Sequence, residues 1–245
     1  MPNSIEFNGV SDVFTYDFQA PEPQLVAATT LLIVVRFIGA DGTWQSLIES
    51  ETNAGAVRPS LGRRNTGETY YSDSVTIDSA NVVTAADGWL IAAATRPAGA
   101  AQTVRFHRCV IGGANTHTDG TGATFSDNSA YLTGRYRIAG NDDFANIRVV
   151  AAATWASAAL TDGQINGIAS AKTSQSILSL SPSWMVESGD SLVLDRSVGG
   201  NTSRSAAVGG AASTDTPAGW VYLGAATGSA SIILGRKRSR GVSWL

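Results

Sequence analysis

The sequence is poor in several residue types, and each shortage narrows the classes of function. Cys109 is the single cysteine among 245 residues, so an intrachain disulfide is impossible. Charged residues make up only 15% of the chain, well below the usual share of soluble domains. The net charge of −3 offers no excess of cations, which nucleic-acid binding needs. We therefore expect no nucleic-acid partner and a fold that depends on packing.

Long apolar runs and a secretion signal are also missing. Apolar runs such as residues 31–35 are far shorter than the roughly 20 residues that span a bilayer. The first residues, Met-Pro-Asn-Ser, lack the basic and apolar regions of a signal peptide. We therefore expect no membrane partner and synthesis in the cytoplasm. Apolar residues nevertheless reach 43%, enough for a full core.

Most of the chain has the short-range pattern of β-strands. Residues 29–37 form a nearly continuous β-branched run, typical of a central strand. Residues 88–95 and 103–111 are expected to form one hairpin, and residues 135–139 and 147–154 a closing hairpin. About ten short strands without helical crossovers predict an all-β, two-sheet antiparallel jelly-roll sandwich.

Helix and loop signals are few. Residues 160–171 alone have a helical pattern, with Thr161 as the N-cap and Asp162 in the first turn. Residues 114–129 are rich in Gly, Thr and Asp, which predicts a long exposed loop. The sequence thus predicts one short helix beside the sandwich.

The composition changes after residue 175. We predict a sandwich over residues 1–175 and, over 176–245, an extended C-terminal arm with short strands and a basic tail. The tail is expected to dock on an acidic neighbouring subunit or a polyanion, with a solvated terminus as the alternative. The docking residues would be Arg236, Lys237, Arg238, Arg240 and Trp244.

Two sets of side chains suggest catalysis or zinc binding, and each has a simpler interpretation. Glu49 and Glu51 would share a strand face as a glycosidase carboxylate pair, or be solvated charges at a sheet edge. His107, His117 and Cys109 are the only soft ligands for zinc, or else a buried cysteine with hydrogen-bonded histidines. The Gly-x-Ser-x-Gly elbow and the phosphate-binding loop are missing from the sequence, so we expect no catalytic residue.

Polar turns offer oxygen ligands for calcium. Asn141 and Asp142 lie in one such turn, and Asp119, Asp127 and Asn128 come from the expected loop. The alternative is a set of side chains that bond to local amides. No cofactor is therefore predicted, and calcium is the one cation that this pattern could accommodate.

Aromatic residues are the better candidates for ligand contacts. Trp89 and Trp155 lie in apolar strands and are expected in the core. Tyr70, Tyr71 and Tyr131 lie next to loops, where exposed rings could contact a glycan or a partner. Core or interface packing is the alternative for these tyrosines.

Several stretches resemble laminin-G-like and concanavalin A-like jelly rolls. Residues 5–12 resemble the opening strand and turn, residues 87–96 the Gly-Trp strand, and residues 134–165 the last strand pair with its helix. The resemblance covers about residues 5–172. Residues 182–200 resemble the tail of such proteins encoded by phages and prophages of high-GC bacteria.

The resemblance implies a bacteriophage virion structural protein. Such a protein would be an accessory capsid decoration or a minor tail protein, located in the virion and bound to other virion proteins as a homo-oligomer or on a lattice. The alternative is a carbohydrate-binding module that recognises host-surface glycans. A glycoside hydrolase is a third hypothesis, which the missing catalytic constellation disfavours.

Overall fold

The computed structural model of the chain describes residues 4–17, 28–39, 43–52, 57–72, 76–98, 103–121, 133–140, 143–156, 158–188, 193–195, 205–208 and 210–223. Strands and two α-helices make up most of this part. The strands are β1 Ser4–Asn8, β2 Phe14–Asp17, β3 Thr29–Phe37, β4 Gln45–Thr52, β5 Val57–Arg63, β6 Glu68–Ser72, β7 Thr76–Val82, β8 Trp89–Arg96, β9 Thr103–Val110, β10 Asn115–Thr121, β11 Thr133–Ile138, β12 Asn146–Trp155, β13 Trp184–Ser188, β14 Val193–Asp195, β15 Ser205–Val208 and β16 Ala211–Ser213. The helices are α1 Asp162–Ala171 and α2 Ser174–Leu178.

Two antiparallel sheets form the body of the protein. Sheet I has the strand order β10-β9-β8-β3-β12-β1-β16, and β13 pairs with β12 and β14. Sheet II has the order β15-β2-β11-β4-β5-β6-β7. The two sheets pack face to face around one shared apolar core. This confirms the predicted all-β, two-sheet antiparallel jelly-roll sandwich.

Strand β3 shows how the layers are built. Leu31, Ile33 and Val35 face sheet II and belong to the core between the sheets. Leu32 and Val34 point to the opposite face and pack with α1 and α2 in a second apolar cluster. Because successive side chains of a strand alternate, a run of apolar residues can serve both layers. The prediction of a central strand is therefore confirmed.

The predicted helix and its N-cap are also confirmed. The Thr161 hydroxyl accepts a hydrogen bond from Gln164 N at 3.3 Å, and Gln164 Oε1 accepts one from Thr161 N at 2.9 Å. This reciprocal capping box satisfies two backbone donors of the first turn. Ile165 and Ile168 face sheet I, and Lys172 ends the helix at φ 50°. Among the described residues, neither helix has the length and apolar character needed to cross a membrane.

The expected closing hairpin is wrong. Strands β11 and β12 lie in different sheets, since β11 pairs with β2 and β4, and β12 pairs with β1, β3 and β13. Ala139 and Gly140 both have positive φ, 68° and 106°, and turn the chain out of sheet II. Ala145 N donates to the Ala139 carbonyl at 3.2 Å and closes this crossing. The segment therefore links the two sheets instead of forming a two-stranded ribbon.

The prediction of a loop over residues 114–129 is wrong for its first half. Asn115–Thr121 is strand β10, which pairs along its length with β9; residues 122–129 lie outside the described part. A tight turn joins the two strands, with Gly112 at φ 83° and Gly113 N donating to the Val110 carbonyl at 2.9 Å. Backbone hydrogen bonding at the edge of sheet I, beside β9, outweighs the loop-like composition of residues 115–121.

The described parts of residues 176–223 pack on the sandwich. Strand β15 extends sheet II beside β2, and β16 extends sheet I beside β1. Helix α2 was not predicted, because five residues are too few to show helical periodicity. Its N-cap is Thr173, whose hydroxyl accepts from Gln175 N at 3.2 Å. The domain boundary at residue 175 stays a prediction.

Asp215 fastens the C-terminal segment to sheet I. Its carboxylate accepts hydrogen bonds from Arg36 Nη1 at 2.7 Å, Arg148 Nη1 at 2.5 Å and Trp89 Nε1 at 3.2 Å. Its carbonyl accepts from Ser4 Oγ at 2.6 Å. Burial by itself raises the pKa of Asp215, but the bonds from Trp89 and Arg148 and the two positive charges outweigh it, so the pKa is lowered.

Candidate functional site

A polar cluster lies on the outer face of sheet I beneath helix α1. Arg105, His107 and Cys109 alternate along β9, so their side chains share this face. Asp162 and Asn166 are four residues apart and share one face of α1. Two strand residues advance about 6.6 Å and four helical residues about 6 Å. The matched spacing sets Asp162 beside Arg105 and His107, and Asn166 beside Cys109.

Strand β10 completes the cluster. In the β9–β10 register, His117 is directly opposite His107, and Asp119 is opposite Arg105. The Nδ1 atoms of the two histidines are 2.9 Å apart, and their rings meet nearly edge to face. Asp162 Oδ1 lies 3.5 Å from Nδ1 of His107 and 3.8 Å from Nδ1 of His117. Two imidazole nitrogens and one carboxylate oxygen therefore converge on one point.

The outward nitrogens of both histidines have partners of their own. His117 Nε2 lies 3.0 Å from Asn166 Oδ1, and the Cys109 thiol donates to the same oxygen at 3.5 Å. His107 Nε2 lies 3.1 Å from the Thr95 hydroxyl. These contacts fix both ring orientations and direct the Nδ1 atoms toward each other.

The surroundings set the protonation of the cluster. Burial, reinforced by the charge of His117, lowers the pKa of His107 to about 4, so this ring is neutral at neutral pH. Burial raises the pKa of Cys109 to about 12, and the Asp162 charge adds to the effect, so the thiol stays protonated. The hydrogen bond from Arg105 lowers the pKa of Asp162, which is therefore a carboxylate.

An open pocket of about 540 Å³ adjoins the cluster at the end of sheet I. Arg105 lies in its wall, where Nε and Nη2 donate to the two carboxylate oxygens of Asp162 at 3.1 and 2.5 Å. Nη1 donates to Asp119 Oδ1 at 3.1 Å. The lining residues are Thr95, Pro97, Thr103, Arg105, Asp119, Ala159, Leu160, Thr161, Asp162 and Gly163. The pocket thus offers hydroxyls and carboxylates around a fixed guanidinium.

Tyr70 and Tyr71 are both buried, so the hypothesis of exposed contact rings is wrong for them and the alternative of packing is confirmed. Tyr71 points into the core between the sheets. Tyr70 points the other way, where its ring covers Gly62 on the neighbouring strand and lies 5.3 Å from the ring of Trp44. Trp44 is 38% exposed, and the Arg64 guanidinium stacks on it at 3.9 Å. Strand alternation therefore directs the Tyr70 ring away from the core between the sheets. Neighbouring side chains on that outer face cover the ring and keep it buried.

Glu49 is buried in β4, a strand paired on both sides by β11 and β5. The interpretation of Glu49 as a solvated edge charge is therefore wrong. The side chain of Glu51 lies outside the described part, so the hypothesis of a glycosidase carboxylate pair stays untested. Trp89 and Trp155 are buried, as predicted for core residues.

The remaining predicted contacts cannot be placed. The expected glycan or calcium residues Tyr131, Asn141, Asp142, Asp127 and Asn128 lie outside the described residues. The same holds for the docking residues Arg236, Lys237, Arg238, Arg240 and Trp244. Of the expected calcium ligands, the structure describes Asp119, which is bound by Arg105.

The structure changes the membership of the predicted soft-ligand set. His107 and His117 come together as strand partners, but the Cys109 thiol faces Asn166 and is not the third ligand. The third group within ligand distance of the two histidines is Asp162, although the sequence indicated only its role in the first turn of α1. The four-residue spacing of Asp162 and Asn166 was the available signal. This spacing indicates a contact with β9 only when the position of α1 on sheet I is known.

No protein-family model matches the chain, and no curated protein matches its sequence. A native heptameric SAP-like pentraxin from Limulus polyphemus is similar in structure, with a TM-score of 0.45, 15% identity, and coverage of 69% of this chain and 82% of that chain. The CBM40 of the Ruminococcus gnavus IT-sialidase, bound to α2,3-sialyllactose, gives a TM-score of 0.41, 14% identity, and coverage of 67% and 96%. Similarity at this level does not indicate what this chain binds. Its own sheet topology defines a two-sheet antiparallel jelly-roll sandwich.

Proposed function

We propose that this chain is a non-enzymatic binding domain whose pocket beside Arg105 takes a polyhydroxylated ligand, as in glycan recognition. One observation carries the proposal: the Arg105 guanidinium is clamped between Asp119 and Asp162 in the wall of an open pocket. Thr103 and Thr161 line the same pocket, and the capping box with Gln164 fixes the Thr161 hydroxyl. Donors and acceptors that are fixed before binding suit the paired hydroxyls of a sugar, since little ordering is left to do.

The electrostatics of the pocket favour binding over hydrolysis. A glycosidase needs a carboxylic acid with a raised pKa, which can protonate the leaving oxygen. Arg105 instead lowers the pKa of Asp162, and the same guanidinium donates to Asp119. Asp162 therefore serves better as a fixed acceptor than as a proton donor.

Direct binding measurements test the proposal. A glycan array selects a ligand, and calorimetry then compares the wild type with Asp119→Ala. Loss of one fixed acceptor should weaken binding by about tenfold, since a lost hydrogen bond to a charged group costs at least about 1.5 kcal/mol. Asp78→Ala is the matched control, because it removes an exposed carboxylate that pairs with Arg64 on sheet II.

Three results would contradict the proposal. These are an array without any ligand, equal affinity of the wild type and Asp119→Ala, or an equal loss in Asp78→Ala. Release of reducing sugar from a polysaccharide panel would contradict the non-enzymatic part separately.

We also propose, from the resemblance of residues 182–200, that the domain acts as an accessory component of a phage particle. A capsid decoration or minor tail protein that binds host-surface glycans would combine both roles. Proteomics of purified particles tests the location. Deletion of residues 231–245 should abolish incorporation and leave the unfolding transition of the sandwich unchanged. Normal incorporation of the deletion variant would contradict the docking role of the tail.

A further inference from the structure

We infer that His107, His117 and Asp162 form a binding site for a divalent cation of the zinc class, with Nδ1, Nδ1 and Oδ1 as the ligand atoms. The site fastens helix α1 to strands β9 and β10. This inference goes beyond the proposed glycan function and does not depend on it.

The spacing of the ligand atoms fits zinc. They are separated by 2.9, 3.5 and 3.8 Å. The point equidistant from three atoms at these separations lies about 2.0 Å from each, and zinc bonds to imidazole nitrogen and carboxylate oxygen are about 2.0–2.2 Å long. An ion therefore fits between the three side chains without any rearrangement of the backbone.

The outer partners present the correct nitrogens. Asn166 Oδ1 can only accept, and it accepts a hydrogen bond from the Cys109 thiol. His117 Nε2 must therefore donate to it, which leaves the lone pair of Nδ1 directed inward. Around His107, the Thr95 hydroxyl can accept from Nε2 and donate to the Arg105 carbonyl, 3.4 Å away. Metal-ligating histidines have such orienting partners on the second nitrogen.

The carboxylate is oriented in the same way. Arg105 holds both oxygens of Asp162 and leaves a further lone pair of Oδ1 for the ion. Around the site, Asp119 and Asp162 carry two negative charges against the single positive charge of Arg105. This excess of one negative charge compensates part of the charge of a divalent cation.

The ligand set selects the ion class. Calcium takes six to eight oxygen ligands, whereas two imidazoles with one carboxylate suit zinc and neighbouring transition metals. Asp162 is 38% exposed and His117 12%, while His107 is fully buried. The cluster is therefore open to solvent on the side of Asp162, where an ion would enter and where a fourth ligand would bind.

The composition of the chain makes the test sharp. His107 and His117 are its only histidines and Cys109 its only cysteine, so imidazole coordination by the untagged chain can occur only at this site. Titration with Zn²⁺ should give one ion per chain. The Co²⁺ derivative should show a tetrahedral or five-coordinate spectrum without a thiolate charge-transfer band. The absence of Zn²⁺ binding, a thiolate band, or equally tight Ca²⁺ binding would overturn the inference.

Variants locate the ion. His117→Ala should weaken Zn²⁺ binding by at least about 100-fold, and Asn166→Ala by about 10-fold through lost orientation of His117. Asp78→Ala is the matched control, since it removes an exposed carboxylate that pairs with Arg64 on sheet II, and it should bind Zn²⁺ nearly as the wild type does. Equal affinity of His117→Ala and the wild type would overturn the inference.

A measurement on the wild type avoids dependence on the folding of variants. Long-range ¹⁵N spectra of the two histidines report which ring nitrogen binds the metal. Zn²⁺ should shift the Nδ1 signals of both residues. A shift at Nε2, or at one residue alone, would contradict the assigned ligand atoms.

Discussion

Replacement of Asp215 by alanine should detach the C-terminal segment from sheet I at a measurable cost. The carboxylate is 26% exposed and pairs with Arg36 and Arg148. Each of these partly exposed pairs contributes about 0.5–1 kcal/mol. The buried indole N–H of Trp89 would also lose its acceptor, which costs about 1–2 kcal/mol. The expected decrease in the free energy of unfolding is therefore about 2–4 kcal/mol.

Urea denaturation followed by tryptophan fluorescence measures this decrease, and limited proteolysis reports whether the segment detaches. Asp78→Ala is the control, since its exposed pair with Arg64 should contribute less than about 1 kcal/mol. Because the folded pKa of Asp215 is below its ordinary value of 3.8, its stabilisation is present above that pH and is lost as the pH falls through the folded pKa. The difference between wild type and Asp215→Ala should shrink in that acidic range. Equal effects of the two substitutions, or a difference that grows in acid, would refute the reasoning.

Three further predictions concern burial. Gly62→Ala should lower the free energy of unfolding by about 2 kcal/mol in thermal or urea denaturation, because its new methyl group would meet the buried ring of Tyr70. Gly167→Ala, on the open side of α1, is the control and should not destabilise the protein. An unchanged stability of Gly62→Ala would contradict the packing. Cys109 should not react with a thiol reagent until denaturant is added, since it is fully buried and its pKa is raised to about 12; reaction at the rate of a free thiol would contradict this. Burial raises the pKa of Tyr222 from 10 to about 12, so the free energy of unfolding should decrease as the pH rises through this range. Tyr222→Phe should reduce this decrease. The same pH dependence of stability in the variant and the wild type would count against burial of the Tyr222 hydroxyl.

The sequence pattern of a short segment predicts its structure where that structure depends on the segment alone. The apolar run of β3 and the capping box at Thr161 are both readable within about ten residues, and both are confirmed. The partner of a strand is not encoded locally. Strands β11 and β12 are neighbours in sequence but lie in opposite sheets, and β10 exists because β9 offers a free edge to pair with.

The candidate site shows the same limit. Histidine and cysteine are scarce in the chain, and their few positions, His107, His117 and Cys109, indicated the region of the site. The β9–β10 pairing brings the two histidines together. The third ligand could not be predicted, because Asp162 reaches them only through the packing of α1 on sheet I. Burial of Tyr70 likewise depends on tertiary packing of residues outside its own strand.

The central claim is that the pocket beside Arg105 is the binding surface of the sandwich. Titration of the ¹⁵N-labelled chain with the selected glycan, followed by amide chemical shifts, tests it most directly. We predict that the largest shifts occur at Thr103, Asp119 and Thr161, which line the pocket. Shifts centred on Trp44 at sheet II, with the pocket unchanged, would contradict the account.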